Sequence, residues 1–163
     1  MADKTVHVMP DGVEDFRKET FYIKLQSKII RLRKDWEVYF AHAPKHEKYA
    51  LCLRIRNRID DLFEMVVVCR KKYWNKTSLT KLDLIHEQLR ADSRLYYELG
   101  LFEFHRERLP DVSEEMPWQN RAMRRFTNVN VQTDEIGRMI GGLIKASRIS
   151  QSCAEDLADS ESQ

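Results

Sequence analysis

The sequence predicts an all-α protein, an antiparallel up-down-up-down four-helix bundle, and three observations predict it. Apolar residues recur at spacings of three and four along four long segments, the period of a helix face. Glycine and proline are scarce, five and four in 163 residues, so few positions interrupt a helix. The turns linking the first three segments are short, which makes consecutive helices antiparallel neighbours.

In the first segment Phe21, Leu25, Ile29, Leu32, Trp36 and Phe40 form one stripe, and Ile30 and Tyr39 broaden it toward the width of a bundle core. A strand would place alternate members on opposite faces. The helix is expected over 13–42, with Asp11 or Asp15 near its start. Pro44 ends it, because proline restricts Ala43 and supplies no amide. The second segment keeps the same period through Tyr49, Cys52 or Leu53, Ile55 or Arg56, Ile59, Leu62 or Phe63, Val66, Cys69 or Arg70, and Tyr73. Its run from Met65 to Cys69 favours a strand by propensity alone, but the long helical period around it outweighs that preference. A turn is expected at Asn75 to Leu79.

Thr80 is a candidate N-cap for the third helix, with Asp83 three residues on. Leu82, Ile85, Leu89, Leu95 or Tyr96, Leu99 and Phe102 then supply its apolar face. Asp92 and Ser93 interrupt that face. The preferred reading points them outward while Leu95 and Tyr96 carry the seam; the other buries Asp92 as a hydrogen-bonded carboxylate. Residues 105–119 contain two prolines and several acids, and read as a loop longer than bundles usually need, with Trp118 returning the chain to the body. In the fourth segment, expected over 120–148, the apolar set is Ala122, Phe126, Val129, Ile136, Met139 or Ile140, Leu143 and Ile144. Mid-helix glycine costs about 0.5–1 kcal/mol against alanine. Gly137, Gly141 and Gly142 therefore call for a reason, and close approach of another helix, within the bundle or between subunits, supplies one.

The domain organisation follows: a flexible N-terminus over 1–12, the bundle over 13–148, and a disordered acidic tail over 149–163. That tail holds too few apolar groups to offset the entropy of ordering it. Its four carboxylates, Glu155, Asp156, Asp159 and Glu161, also hide charge: the net +2 combines +6 up to Arg148 with −4 beyond it. The composition, 42% hydrophobic and 33% charged, excludes a disordered chain, and no apolar run approaches a membrane span. The first ten residues lack the apolar stretch of a signal peptide. Cys52, Cys69 and Cys153 are odd in number and far apart, which argues against a disulfide framework, and Cys52 and Cys69 read as core thiols. A reduced, cytoplasmic setting is expected.

Enzyme signatures are absent. Asp60, Asp61 and Glu64, with His86 and Glu87, suggest a carboxylate-bridged metal site, but the Glu-x-x-His pairs that bundles use for one are missing. The five histidines are scattered, mostly at ends and surfaces, and no phosphate loop, nucleophile elbow or zinc-hydrolase helix occurs. The expectation is a protein without catalytic residues, metal or cofactor. Its cations carry more information. Lys24 and Lys28 are four apart, as are Arg54 and Arg58, and each pair shares a helix face and repels itself slightly. A phosphate backbone relieves such repulsion and releases counterions. The competing reading is a solvated charged face. Base-specific recognition is not indicated, since no aromatic platform accompanies the cations.

Several stretches resemble the Avd-like four-helix bundle family, the accessory variability determinants of diversity-generating retroelements. They begin with Pro44-Lys-His-Glu-Lys-Tyr49 and continue through Lys71-Lys72-Tyr73, Lys76 to Asp83, Leu89-Arg90 and Leu95 to Leu101. The most specific is Asp134-Glu-Ile-Gly-Arg-Met-Ile-Gly-Gly-Leu-Ile-Lys145, similar to the family's C-terminal run of an acid, Ile-Gly-Arg, a glycine pair and a lysine. The resemblance implies a homopentameric barrel of basic bundles that associates with the element's reverse transcriptase and template RNA, or an RNA–DNA hybrid, and supports mutagenic retrohoming without catalysing it. It implies that Lys24, Lys28, Arg31, Arg54, Arg58, Lys71 and Lys72 face phosphates. Gly137, Gly141, Gly142 and Leu143 become packing or interface residues, and Arg138 an interface or nucleic-acid residue. The family carries Trp where this chain has Leu143, a shorter link than 105–119, and no acidic tail. Two alternatives stand beside this one: a bundle of the ribosomal-RNA-intervening-sequence type, and a helical scaffold or adaptor for an acidic protein partner.

Overall fold

The computed structural model describes residues 11–71, 76–104 and 118–161, with side chains described over 17–71, 76–104 and 121–149. Five helices follow in order: α1 Asp11–His42, α2 Lys45–Lys48, α3 Leu51–Lys71, α4 Lys76–Glu98 and α5 Trp118–Glu161. Among the described residues there is no strand. The single turn α2 is a corner, so the architecture is a four-helix bundle of α1, α3, α4 and α5. α1 packs on α3 and α5, and α4 packs on the same two helices from the other side. Cross-helix pairs run in opposite chain directions on every seam, as in Arg33–Asp60 with Arg70–Glu19 and Gln132–Asp35 with Lys28–Glu135. The arrangement is antiparallel and up-down-up-down.

The bounds of α1 follow local chemistry. Pro44 takes the N-cap position of α2 with φ −56°, and its carbonyl accepts the amides of Glu47 and Lys48, so the chain turns at once into the corner. Leu25, Ile29, Leu32, Trp36 and Phe40 are buried as expected; Ile30 faces solvent instead, and so does Tyr49. The valine run of α3 stays helical, with Val66 and Cys69 in the core and Val67 outside it. α4 begins at Lys76, before the expected turn ends. Thr80 is therefore interior, and its hydroxyl donates to the Lys76 carbonyl at 2.9 Å rather than capping the helix.

The end of α4 also differs from expectation. Gly100 takes φ +68°, the Leu101 amide donates to the Tyr96 carbonyl, and the Gly100 amide donates to that of Tyr97. This is the Schellman pattern. Leu99 is thereby left in solvent, while Leu101, Phe102 and Phe104 fold back into the core. Phe102 belongs to the core through this turn, not through the helix stripe. A Cβ on Gly100 would meet only the Glu103 carboxyl at ordinary contact distance, so its penalty is conformational. Gly100→Ala is expected to lower stability by about 1–2 kcal/mol, read as a lower thermal midpoint. An unchanged midpoint contradicts the need for glycine there.

One end of the core is aromatic. Trp36 stacks on Phe40 at 5.2 Å and meets Tyr96 edge-on at 5.1 Å, and Tyr96 meets Phe102 at 4.8 Å. The Trp36 indole N–H has no acceptor among the described residues, a cost that the ring's burial among aromatics offsets. Burial raises the Tyr96 phenol, which donates to the Tyr39 carbonyl at 3.3 Å.

α5 reaches Glu161, well past the expected end at Arg148. Nothing from Lys145 to Glu161 is glycine or proline, so the backbone ladder meets no chemical stop. The expected tail is thus helical through Glu161. Tyr73, the side chain of Trp118, most of the 105–119 loop and most of the expected flexible N-terminus fall outside the described residues.

Candidate functional site

The four seams of the bundle differ in how they settle their charges. Between α1 and α3, Glu37 accepts Arg33 and, at 2.9 and 3.0 Å, Arg56. Arg33 also donates to Asp60 at 2.9 Å, and Arg70 pairs with Glu19. The shallow cleft at this seam's corner, lined in part by Tyr49 and Cys52, holds Arg56 already over the Phe40 ring and Lys48 bonded to the Ala41 carbonyl. Burial pushes the Cys52 thiol up, which suits a core residue rather than a nucleophile.

Between α3 and α4 lies the feature that periodicity misplaced. Asp92 is 6% exposed, not outward-facing, and Ser93 is buried beside it with its hydroxyl donating to the Leu89 carbonyl at 2.8 Å. Arg58 donates from Nε to Asp92 at 2.5 Å and from Nη1 to Gln88, while Arg54 Nη2 lies 2.9 Å from the other Asp92 oxygen. One carboxylate clamps two arginines one turn apart and removes their mutual repulsion. Arg54 and Arg58, expected to face phosphates, are tied to this buried carboxylate while their own side chains stay 49% and 26% exposed.

The α4–α5 seam is built on a histidine and a glycine. His86 is buried, not at a surface, and its Nε2 lies 2.8 Å from the Thr133 carbonyl. A carbonyl only accepts, so Nε2 carries the proton. A Cβ on Gly137 would fall 2.6 Å from His86 Cε1 and 2.8 Å from Nε2. The glycine leaves the space the imidazole fills, and bares the carbonyl one turn earlier. Nδ1 has no hydrogen-bond partner and sits 3.5 Å from Glu87. Arg90 spans Glu87 and Asp134 on the outside. Gly141 and Gly142 behave otherwise: both are exposed, and a Cβ at either meets nothing within 4 Å. Close packing inside the bundle therefore accounts for Gly137 alone. Leu143 is half-buried against the core.

The α1–α5 seam retains surplus cations. Lys24, Lys28 and Arg31 follow one another at one-turn intervals on α1, opposite Glu135 and Arg138 of α5. Lys28 donates to Glu135 at 2.5 Å, and this bond first, then the charges of Lys28, Arg138 and Arg31, hold the Glu135 carboxyl below the ordinary glutamate range. A groove separates the Lys24, Lys28 and Arg31 wall from Gln132 and Glu135. Asp35, one turn beyond Arg31, accepts the Gln132 amide at 2.6 Å and the Asn128 amide at 3.4 Å. Four cations thus face two carboxylates, and Lys24, Arg31 and Arg138 make no ion pair with any described residue. Lys71 is exposed at the end of α3, away from this groove, and Lys72 lies outside the described residues.

Among the described residues no group of three or more histidines, cysteines or carboxylates could hold a metal ion, and no helix is long and apolar enough to cross a membrane. No family model, curated protein or solved structure matches the chain.

Proposed function

We propose that this protein is a non-catalytic nucleic-acid-holding bundle, the accessory factor of a diversity-generating retroelement, which binds template RNA or its cDNA hybrid along the α1–α5 seam. The observation that carries the reading is the surplus of cations at that seam, where Lys24, Arg31 and Arg138 pair with no carboxylate among the described residues. Cations held one helical turn apart match a phosphate backbone without reading bases. Arg138 lies within the Asp134–Lys145 stretch that resembles the family signature, so the charge and the resemblance meet on one surface. Association with the reverse transcriptase and a homopentameric assembly rest on the resemblance, and a cytoplasmic site of action on the odd, widely spaced cysteines.

A second reading is favoured by a specific feature. Ile23, Ile30 and Val38 of α1 are 49%, 44% and 57% exposed, and Ile23 lines the same groove as the cations. An apolar and basic face suits an adaptor for an acidic protein partner.

Fluorescence anisotropy with single-stranded RNA over a salt series separates the two. The expected result is affinity that falls steeply with salt, and a Lys24→Ala, Arg31→Ala, Arg138→Ala variant whose log–log slope is shallower by about 2, since each lost phosphate contact removes roughly 0.7. Weak binding that does not strengthen as salt falls contradicts the nucleic-acid reading. A neighbouring gene for a reverse transcriptase, with paired template and variable repeats, is the genomic counterpart of this test.

A further inference from the structure

We propose that Glu135 is the resident counter-ion of the α1–α5 phosphate seat: its carboxylate holds Lys28 in the position that a bound phosphate oxygen takes over, and so sets how tightly the seam grips a polyanion. The inference rests on the seam being a phosphate-binding surface, and adds a gate to it.

Three features carry it. The Lys28–Glu135 pair lies in the groove itself, with both side chains more than a third exposed, so it can open without disturbing the core. An exposed pair of this kind contributes little to stability. Its position is also singular: Lys28 is flanked by Lys24 and Arg31 on its own helix, and Glu135 by Arg138 on α5, so one carboxylate stands among four cations. Finally, carboxylate and phosphate oxygens accept the same lysine donors, and a phosphate chain engages the flanking cations as well. Glu135 does not, because no other cation among the described residues lies within ion-pair distance of it. Exchange of the carboxylate for a phosphate frees Glu135 to swing toward solvent and brings Lys28 into the contact set.

Binding by wild-type protein, Glu135→Gln and Lys28→Ala/Glu135→Gln tests this, using a single-stranded RNA oligonucleotide and inorganic tripolyphosphate as separate probes. A Glu64→Gln variant, with the same charge change on exposed α3, serves as the control. Glu135→Gln is expected to bind each probe roughly five- to tenfold more tightly at low salt, because no carboxylate has to be displaced from Lys28. The gain is expected to vanish in the double variant and to be absent in Glu64→Gln. Glu135→Gln behaving as wild type, or Glu64→Gln reproducing the gain, overturns the gate. Tighter tripolyphosphate binding by Glu135→Gln without RNA binding by any variant keeps the seat and its gate and overturns the nucleic-acid function. Failure of every variant to bind either probe overturns both.

Discussion

Replacing Arg54 and Arg58 together by alanine is expected to lower stability by about 3–5 kcal/mol, the usual penalty for stripping partners from a buried charge. Asp92 is nearly sealed at the α3–α4 seam, and both its oxygens are taken by these two arginines. Each single alanine variant costs less, since the remaining arginine keeps one oxygen paired. Putting leucine at position 92 in the double-alanine background is expected to restore most of the loss, because a buried ion cluster exchanged for apolar groups is often near neutral. Urea unfolding of the four proteins measures this. A double-alanine variant with a wild-type midpoint would mean that Asp92 finds water or another donor. The result also bears on function: because these arginines hold Asp92, a loss of RNA binding in that variant is read against its unfolding midpoint, whereas the cations of the α1–α5 seam carry no such structural bond to a buried acid.

At Gly137 the expected loss is about 3 kcal/mol for substitution by leucine, the upper range for overpacking a filled core. A Cβ alone falls on the His86 ring, which is held in place by its bond to the Thr133 carbonyl. Trimming the obstacle, as in Gly137→Leu with His86→Ala, is expected to recover part of the loss, a non-additivity typical of residues in contact. At Gly141 a Cβ meets nothing within 4 Å among the described residues, and the same leucine there is expected to leave the monomer's melting midpoint unchanged or slightly raised by helix propensity. A changed sedimentation profile for Gly141→Leu without loss of helicity would locate that glycine at a contact between subunits. Equal midpoints for the two leucine variants would remove the distinction between the glycines.

These two sites show where periodicity informs and where it stops. The burial of Leu25, Ile29, Trp36, Ile59, Leu82, Val129 and Ile136 follows from spacing alone, because apolar residues on one helical stripe have one place to go. Asp92 was legible as an interruption, yet its resolution was not, because the partners that make its burial affordable sit on another helix, more than thirty residues earlier. His86 looked like a surface histidine for the same reason: only a glycine and a bared carbonyl on α5 make room for it. Gly137 and Gly141 share a helical angle but meet different neighbours, which a one-helix view cannot tell apart. The turn at Gly100 shifted Phe102 from a helix stripe to a returning loop without changing its destination, the core. For the candidate site, the columns Lys24–Lys28 and Arg54–Arg58 are equivalent in sequence. Their separation into a surface seam and a structural clamp comes from the carboxylates opposite.

The unequal seams have a consequence for encounter as well as for grip. Lys24, Lys28, Arg31 and Arg138 stand together on one side of the bundle, whereas Arg33, Arg58 and Arg70 on the other seams each lie against an acid. Under the proposed function, a polyanion diffusing toward the molecule meets a torque before it meets a surface, one that turns the α1–α5 side toward it within about a Debye length. On that proposal, the orientation of the first collision depends on where the carboxylates of the other faces stand as well as on the cations that make the contact.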